Sequence, residues 1–282
     1  IRGVFERAQA NEWNEQIVRY IDDNHYLEHA KAKAGLDKYF SSLASGRPQI
    51  YSLYWSKPQV AARQSDAMAQ TKKFLNRLWT FEKNGVRFFD PDRDATYSDR
   101  IRRREPGDKT LGLSPHCDGG SVERWCEPTF HTVYREVLQG NPLAYDPFDA
   151  EGRTTTHEIP SPAVCSAFRT FQGWTALSAQ GPGDGTLKLV PVANSMAWML
   201  LRALQADVPE GDLCGALAGR ALGASPRWHA TLLEGLVAIP RVEPGDTVFW
   251  HSDVIHAVED EHHGKGYSNV TYIGASPWCD KN

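Results

Sequence analysis

The 282-residue sequence contains no apolar stretch long enough to cross a bilayer. Its richest, Ser195–Leu204, is broken by Arg202 and falls well short of the ~18 residues that a spanning helix needs. It lacks an excess of basic charge: 31 Lys and Arg stand against 35 Asp and Glu, for a net charge of -4. A broad footprint for nucleic acid is therefore not expected. Cysteine is scarce, with five residues (Cys117, Cys126, Cys165, Cys214, Cys279), an odd number, widely scattered and without a C-x-x-C pair. That excludes a disulfide scaffold and a structural zinc cluster, and it favours reduced thiols in a cytoplasmic compartment. No signal peptide is visible, and a start at Ile1 rather than Met leads us to expect the native start outside this chain. Internal repeats, low-complexity tracts and an obvious interdomain linker are also missing. What remains, 41% hydrophobic and 23% charged, is the composition of a globular protein with a substantial core.

The first hundred residues read as mostly helical. Ala8–Asn24 sets Trp13, Ile17, Tyr20 and Ile21 near helical spacing, and Gln59–Trp79 does the same with Val60, Met68, Phe74, Leu75 and Leu78. Between them, Gln49–Trp55 is aromatic and β-rich, as in a strand. From about Tyr97 the texture changes to short β-like runs punctuated by Gly, Pro, Asp and Ser. These are Arg100–Arg104, Thr110–His116, Ala167–Leu177, Leu187–Val190, Leu236–Ile239, Thr247–Trp250 and Asn269–Ile273. Many short strands with turn signals predict a sandwich or barrel. Met196–Gln205 reads as one inserted helix, and Trp125–Thr156 as a long loop with one short helix.

Chemistry concentrates at His116-Cys117-Asp118. Side chains alternate along a strand, so His116 and Asp118 face one way and Cys117 the other. An imidazole and a carboxylate on one face can take adjacent positions around a metal. A histidine from a distant strand would complete the facial triad of mononuclear non-haem Fe(II) enzymes. H-x-D alone is weak, and His251-Ser252-Asp253 is a second copy. The histidines after Asp253 lie too close in sequence to return from another strand, whereas His116 has a distant partner segment. That segment is Pro244–His256: a PGD turn, an apolar strand, then a His after a short Asp-Val-Ile connection.

The Pro244–His256 segment resembles the distal-histidine element of the phytanoyl-CoA-hydroxylase-like branch of Fe(II)/2-oxoglutarate dioxygenases. By that match His256 is the ligand, while His251 has a structural or supporting role. Trp174–Pro191 is similar to the same group's strand, Asp/Asn-Gly turn and "L…VP" strand. PGDKTLGLSPHCDGGSVERW, YSLYWSKPQVAARQS and YSNVTYIGASPWC extend the likeness to nearly the whole chain. They resemble the bacterial and fungal family called domain of unknown function 1479. The resemblance implies a double-stranded β-helix and Fe(II) held by His116, Asp118 and His256, with 2-oxoglutarate and O2 as co-substrates. It also implies hydroxylation rather than halogenation, since related halogenases carry a small residue at the position of Asp118.

The anchor for the far carboxylate of 2-oxoglutarate departs from the broader pattern. The slot after the distal histidine falls at Ser268-Asn269, which carry no charge but could donate hydrogen bonds. Lys265, between two glycines, is a weaker candidate. Upstream, Arg102 and Arg104 share a strand face, and a cation two residues before Pro-Gly resembles one that contacts 2-oxoglutarate in some relatives; a charged edge strand is the bland alternative. Arg124 could bind co-substrate or substrate, or anchor its loop. His25, His29, His131, His157, His229, His262 and His263 are read as surface or structural, and Cys117 as a core thiol. Trp125, Tyr134, Tyr145 and Phe148 could line a pocket or simply pack.

The expected architecture is mainly β with flanking helices: a cupin-like jelly roll over residues 97–282, buttressed by a helical region over 1–96. The expected function is Fe(II)- and 2-oxoglutarate-dependent oxidation of a small-molecule metabolite, with no nucleic-acid or membrane partner. A cupin-type metalloprotein independent of 2-oxoglutarate, or a binding protein on the same scaffold, stays open. Substrate identity and oligomeric state are not legible.

Overall fold

The computed structural model describes residues 1–25, 49–96, 98–110, 114–161 and 165–282. His29, Tyr97 and the middle of the expected 110–116 strand lie outside the described residues. The chain opens with helix α1 (Arg7–Asp23), strand β1 (Ile50–Tyr51) and helices α2 (Lys57–Gln64) and α3 (Asp66–Asn76). Strands β2 (Glu82–Lys83), β3 (Val86–Arg87), β4 (Asp90–Asp94), β5 (Ile101–Arg104) and β6 (His116–Cys117) follow. Three short helices come next, α4 (Glu123–Cys126), α5 (Pro128–Val133) and α6 (Arg135–Leu138), with a 3-10 turn at Pro142–Ala144. The rest comprises β7 (Gln172–Ala176), β8 (Leu187–Leu189), α7 (Ser195–Arg202), β9 (Leu222–Gly223), α8 (Pro226–Leu233), β10 (Val237–Ala238), β11 (Thr247–Trp250), β12 (His256–Val258), β13 (Ser268–Tyr272) and β14 (Pro277–Trp278). Among the described residues no helix is long and apolar enough to cross a membrane.

Two five-stranded antiparallel sheets organise these elements, β1-β5-β13-β7-β11 and β10-β8-β12-β6-β9. Strand register decides what each face carries. In the first sheet Val270 lies opposite both Arg102 and Ala176, and Val248 lies opposite Trp174, so these side chains share one face. Trp174, Ala176, Trp250 and Val270 meet Leu187 of the second sheet in one apolar cluster, which places a core between the sheets. The opposite face carries Ile101 and Ile273, covered by Trp13, Ile17 and Ile21 of α1. These α1 residues recur every three or four positions and are all buried, each worth roughly 1.5–3 kcal/mol when removed from water.

Two expectations change. The helix expected over Gln59–Trp79 is two helices, because Ser65 is extended (φ -68, ψ 148) and its hydroxyl accepts from Met68 N at 3.2 Å. That local bond caps α3 in place of helix continuation. Trp125–Thr156 is more ordered than a loop with one short helix. Phe130, Tyr134 and Val137 recur at helical spacing and bury against Met196, Met199 and Leu200 of α7. Pro128 and the Glu127 carboxylate, which accepts from Phe130 N at 3.0 Å, start α5.

Candidate metal centre and the two cavities beside it

β12 lies between β8 and β6, and the register sets His256 directly opposite His116. Their ring centroids are 4.3 Å apart. Asp118 follows His116 by two residues, and its carboxylate reaches both rings: Oδ1 is 3.6 Å from His116 Nε2 and Oδ2 is 3.6 Å from His256 Nε2. One donor atom from each of the three lies within 4.8 Å of the others. Ligands at about 2.1 Å around a first-row metal sit roughly 3 Å apart when adjacent, so modest side-chain movement would close the set. After Asp118, Gly119 and Gly120 adopt φ of +83° and +100°, a left-handed turn that a side chain would strain.

The rings are held in the orientation that metal ligation needs. His116 Nδ1 lies 2.6 Å from Ser114 O, and His256 Nδ1 lies 3.1 Å from Val254 O. A carbonyl only accepts, so both rings carry the proton on Nδ1 and present the Nε2 lone pair toward Asp118. Burial disfavours the charged form of Asp118. Electrostatic interaction with the neighbouring His256, His116 and Arg169, with a hydrogen bond from Gln172 Nε2 to Oδ2, outweighs that and holds the carboxyl well below its usual range. Burial, then the neighbouring His116, pushes His256 down to about 4. Two imidazoles and one ionised carboxylate, converging from one side, are donors suited to a divalent non-haem metal.

His251 is placed elsewhere. It stacks on Trp79 at 4.7 Å and 6°, its Nε2 donates to Pro147 O at 2.8 Å, and its Nδ1 accepts from Asp253 N at 2.9 Å. Asp253 of the second H-x-D is the centre of a buried ionic cluster. Its Oδ1 pairs with Arg124 at 2.8 Å, and its Oδ2 with Arg153 at 2.9 Å and the Tyr145 hydroxyl at 3.0 Å. Burial works against the Asp253 charge, but the two guanidiniums hold its carboxyl below the usual range.

The five anchor candidates separate. Arg102 is buried on the face between the sheets, and its Nε and Nη2 have no hydrogen-bond partner. It lines a small cavity with Arg104, Trp174, Leu187, Ser268 and Val270. Leu187 shares a β8 face with Leu189, which pairs with His256, so this cavity begins about 6.6 Å along the strand from His256. Arg104 lines it too, but its amino groups are committed to backbone carbonyls: Gly185 O at 2.7 Å, Glu259 O at 2.8 Å and Asp108 O at 2.7 Å. Gly185, at φ +66°, is required there, since a Cβ would lie 2.6 Å from Arg104 Nη1. Arg104 staples three loops through these bonds, and only its Nε is left without a hydrogen-bond partner among the described residues.

Ser268 lines the cavity and donates to Asp184 O at 2.6 Å. Asn269, one residue on, faces away and bonds Asn14 Oδ1 of α1 at 3.0 Å, so its proposed contact with co-substrate is corrected by the pleat. Arg124 spends its nitrogens on Gly120 O, Asp118 O, Tyr134 and Asp253. The loop-anchor alternative therefore describes it, and the co-substrate role does not. Lys265 is exposed, while Cys117 is fully buried with its thiol pushed far up by desolvation. Tyr134 and Tyr145 reach Asp253, Trp125 Nε1 donates to Leu200 O, and Phe148 packs on Trp79.

Four residues escaped the sequence reading: Gln172, Arg153, Arg169 and Lys281. Gln172 carried a signal, a lone amide in a strand whose five residues are all buried. The others gather at a second cavity, on the Gly119 side of the triad, also lined by Arg124, Asp253 and Glu158.

Comparison with known proteins agrees with the whole-chain likeness. The Gig2-like family profile matches residues 1–282. The protein YbiU of Escherichia coli (strain K12) is 48% identical over 284 residues, covering 100% of this chain and 67% of that protein. A solved structure from Salmonella typhimurium LT2 is 47% identical with a TM-score of 0.92, covering 100% of this chain and 67% of the other. The structure of GlcNAc Inducible Gene 2 (DUF1479) from Candida albicans is 31% identical with a TM-score of 0.80, covering 99% and 60%. This chain thus spans about two thirds of the length of the relatives it matches. It belongs to the Gig2-like (DUF1479) family.

Proposed function

We propose that this chain is an Fe(II)- and 2-oxoglutarate-dependent oxygenase that oxidises a small-molecule metabolite in the cytoplasm. In this reading residues 97–282 form the double-stranded β-helix that holds the metal, and residues 1–96 buttress it. The observation that carries the reading is the convergence of His116, Asp118 and His256, with both Nε2 atoms presented and the carboxylate ionised. The Salmonella relative is itself described as a candidate oxidoreductase.

Bound Fe(II) would supply the chemistry that couples O2 and 2-oxoglutarate to oxidation of a C–H bond. The chain's own part is positioning. His116, Asp118 and His256 take one face of the metal, and Gln172 fixes the carboxylate that bridges the two rings. Arg102, buried with two unpartnered nitrogens, fits the far carboxylate of 2-oxoglutarate as a charge-assisted pair. Buried guanidinium nitrogens without an acceptor are costly, so an anionic ligand on Nε and Nη2 would relieve a penalty already present, beside the hydrogen bond that the group shares with Tyr272. Trp174, Leu187 and Val270 wall that cavity with apolar surface and limit access of water.

The test is anaerobic. Metal-free protein is loaded with Fe(II), 2-oxoglutarate is added, and the visible metal-to-ligand charge-transfer band is followed. The band is expected in the native protein and in Asn269→Ala, with at least a tenfold weaker 2-oxoglutarate affinity in Arg102→Gln. Iron bound without the band would favour the cupin-type alternative, and failure to bind iron would remove the enzyme reading altogether.

A further inference from the structure

Arg102 and Tyr272 are diagonal neighbours on the face between the sheets. Arg102 of β5 lies opposite Val270 of β13, and Tyr272 stands two residues further along β13, opposite Trp174 of β7. Every second residue of a strand shares a face, so Arg102, Val270, Tyr272 and Trp174 look inward together. The Arg102 guanidinium and the Tyr272 hydroxyl share a hydrogen bond. A guanidinium only donates, so the phenol oxygen accepts. Nε and Nη2 have no partner, which leaves Nη1 as the donor to Tyr272.

The N–H bonds of Nε and Nη2 run parallel along one edge of a guanidinium, and that edge takes both oxygens of a carboxylate side-on. The two unpartnered nitrogens of Arg102 are therefore one complete fork, on a side chain that lines the cavity. Other polar side chains of the same wall are committed. Ser268 Oγ donates to Asp184 O at 2.6 Å, Gln180 Nε2 to Asn269 O at 3.3 Å, and Thr186 Oγ1 to Gln180 Oε1 at 3.4 Å. A tyrosine also orients the guanidinium without cancelling its charge. Burial pushes the Tyr272 hydroxyl above the usual phenol range, so it stays neutral. A carboxylate in its place would neutralise the guanidinium and compete with an anionic ligand.

We propose that Tyr272 is the positioning residue of this cavity: it holds Nη1 so that the Nε and Nη2 edge of Arg102 faces in and grips a planar carboxylate through two parallel hydrogen bonds. The proposal rests on the oxygenase reading for naming that group the far carboxylate of 2-oxoglutarate, while the geometry of Arg102 and Tyr272 serves any dicarboxylate of the same reach. It makes the cavity selective for keto acids that end in a second carboxylate over those that end in a methyl group. It also makes the fork, and not charge alone, the recognition element, since a lysine carries the charge without the fork.

The probes are 2-oxoglutarate and 2-oxobutanoate, which keeps the keto acid and lacks the far carboxylate. Both are titrated anaerobically into the Fe(II)-loaded full chain, and the charge-transfer band gives their affinities. Tyr272→Phe is expected to weaken 2-oxoglutarate about tenfold, the worth of one hydrogen bond to a charged group, and to leave 2-oxobutanoate unchanged. A merely structural role for Tyr272 would move both acids together, and retained 2-oxobutanoate binding shows that the variant is folded. Tyr272→Phe combined with Arg102→Gln is expected to bind 2-oxoglutarate as Arg102→Gln alone does, because Tyr272 acts only through the guanidinium. Equal losses for the two acids, an unchanged 2-oxoglutarate affinity in Tyr272→Phe, or additive losses in the double variant would overturn the proposal. A missing band in the native protein sinks the oxygenase reading instead. The cavity is then probed in metal-free protein with glutarate, a dicarboxylate without the keto group, by tryptophan fluorescence, since Trp174 lines the wall. Weaker glutarate binding in Tyr272→Phe than in native protein supports the proposal, and equal binding overturns it.

Discussion

Asp253→Asn isolates the ionic cluster that ties the two ligand-bearing segments together. Asp253 and Arg124 side chains are each 1% exposed, and Arg153 is 8% exposed. The amide keeps the shape of the carboxylate but removes the one negative charge facing two guanidiniums. Breaking a buried ion pair costs about 3–5 kcal/mol, because the remaining charge stays desolvated without a partner. Against total stabilities of about 5–15 kcal/mol, that is a large share. Arg77 and Asp92 form a pair of the same chemistry at 2.5 Å, but with side chains 47% and 51% exposed. Water and salt screen that pair, so Asp92→Asn should leave the urea midpoint nearly unchanged. Urea unfolding of native protein and both variants measures the contrast directly. A second effect should accompany the first. Arg124 also holds the carbonyls of Asp118 and Gly120, and Asp253 precedes His256 by three residues, so loosening the cluster should weaken Mn(II) binding about tenfold or more. Equal urea midpoints for the two variants would refute the burial argument; unchanged Mn(II) affinity in a destabilised Asp253→Asn would refute the link to the ligands.

The remaining predictions concern neighbouring groups. His116→Ala and His256→Ala should abolish Mn(II) binding, measured by calorimetry. His251→Ala should retain most of it while losing about 2–4 kcal/mol of stability from the emptied stack on Trp79; equal loss of metal in all three would show that the distal ligand is misassigned. Gln172→Leu removes the hydrogen bond to Asp118 without disturbing β7, and metal affinity should fall about 10–100-fold. Burial, with Arg153 adding to it and Asp253 opposing, holds His251 at about 4 rather than 6.5. Between those values the unfolded chain binds a proton that the folded one refuses, so stability falls as pH is lowered from 6.5 toward 4, by about 2–3 kcal/mol at pH 4.5 from this group. Urea midpoints at pH 7 and 4.5 should show a shallower pH slope in His251→Gln; an unchanged slope would count against it.

Periodicity alone placed α1, with Trp13, Ile17 and Ile21 inward, and most strands of both sheets, because those signals are local. The same alternation put His116 and Asp118 on one side of β6, so the candidate pair was legible before any fold was known. The break at Ser65 was not read, since a serine cap competes with helix continuation only by a single hydrogen bond. What the cations do was decided by tertiary structure. Arg102, Arg104 and Arg124 are equivalent as letters, and a guanidinium takes its role from the acceptors within its reach. For Arg104 two of the three lie 81 and 155 residues away, and for Arg124 the carboxylate lies 129 residues away. The cavity beside Gly119 gathers charged side chains from residue 124 to residue 281, and it exists only once the chain has closed on itself.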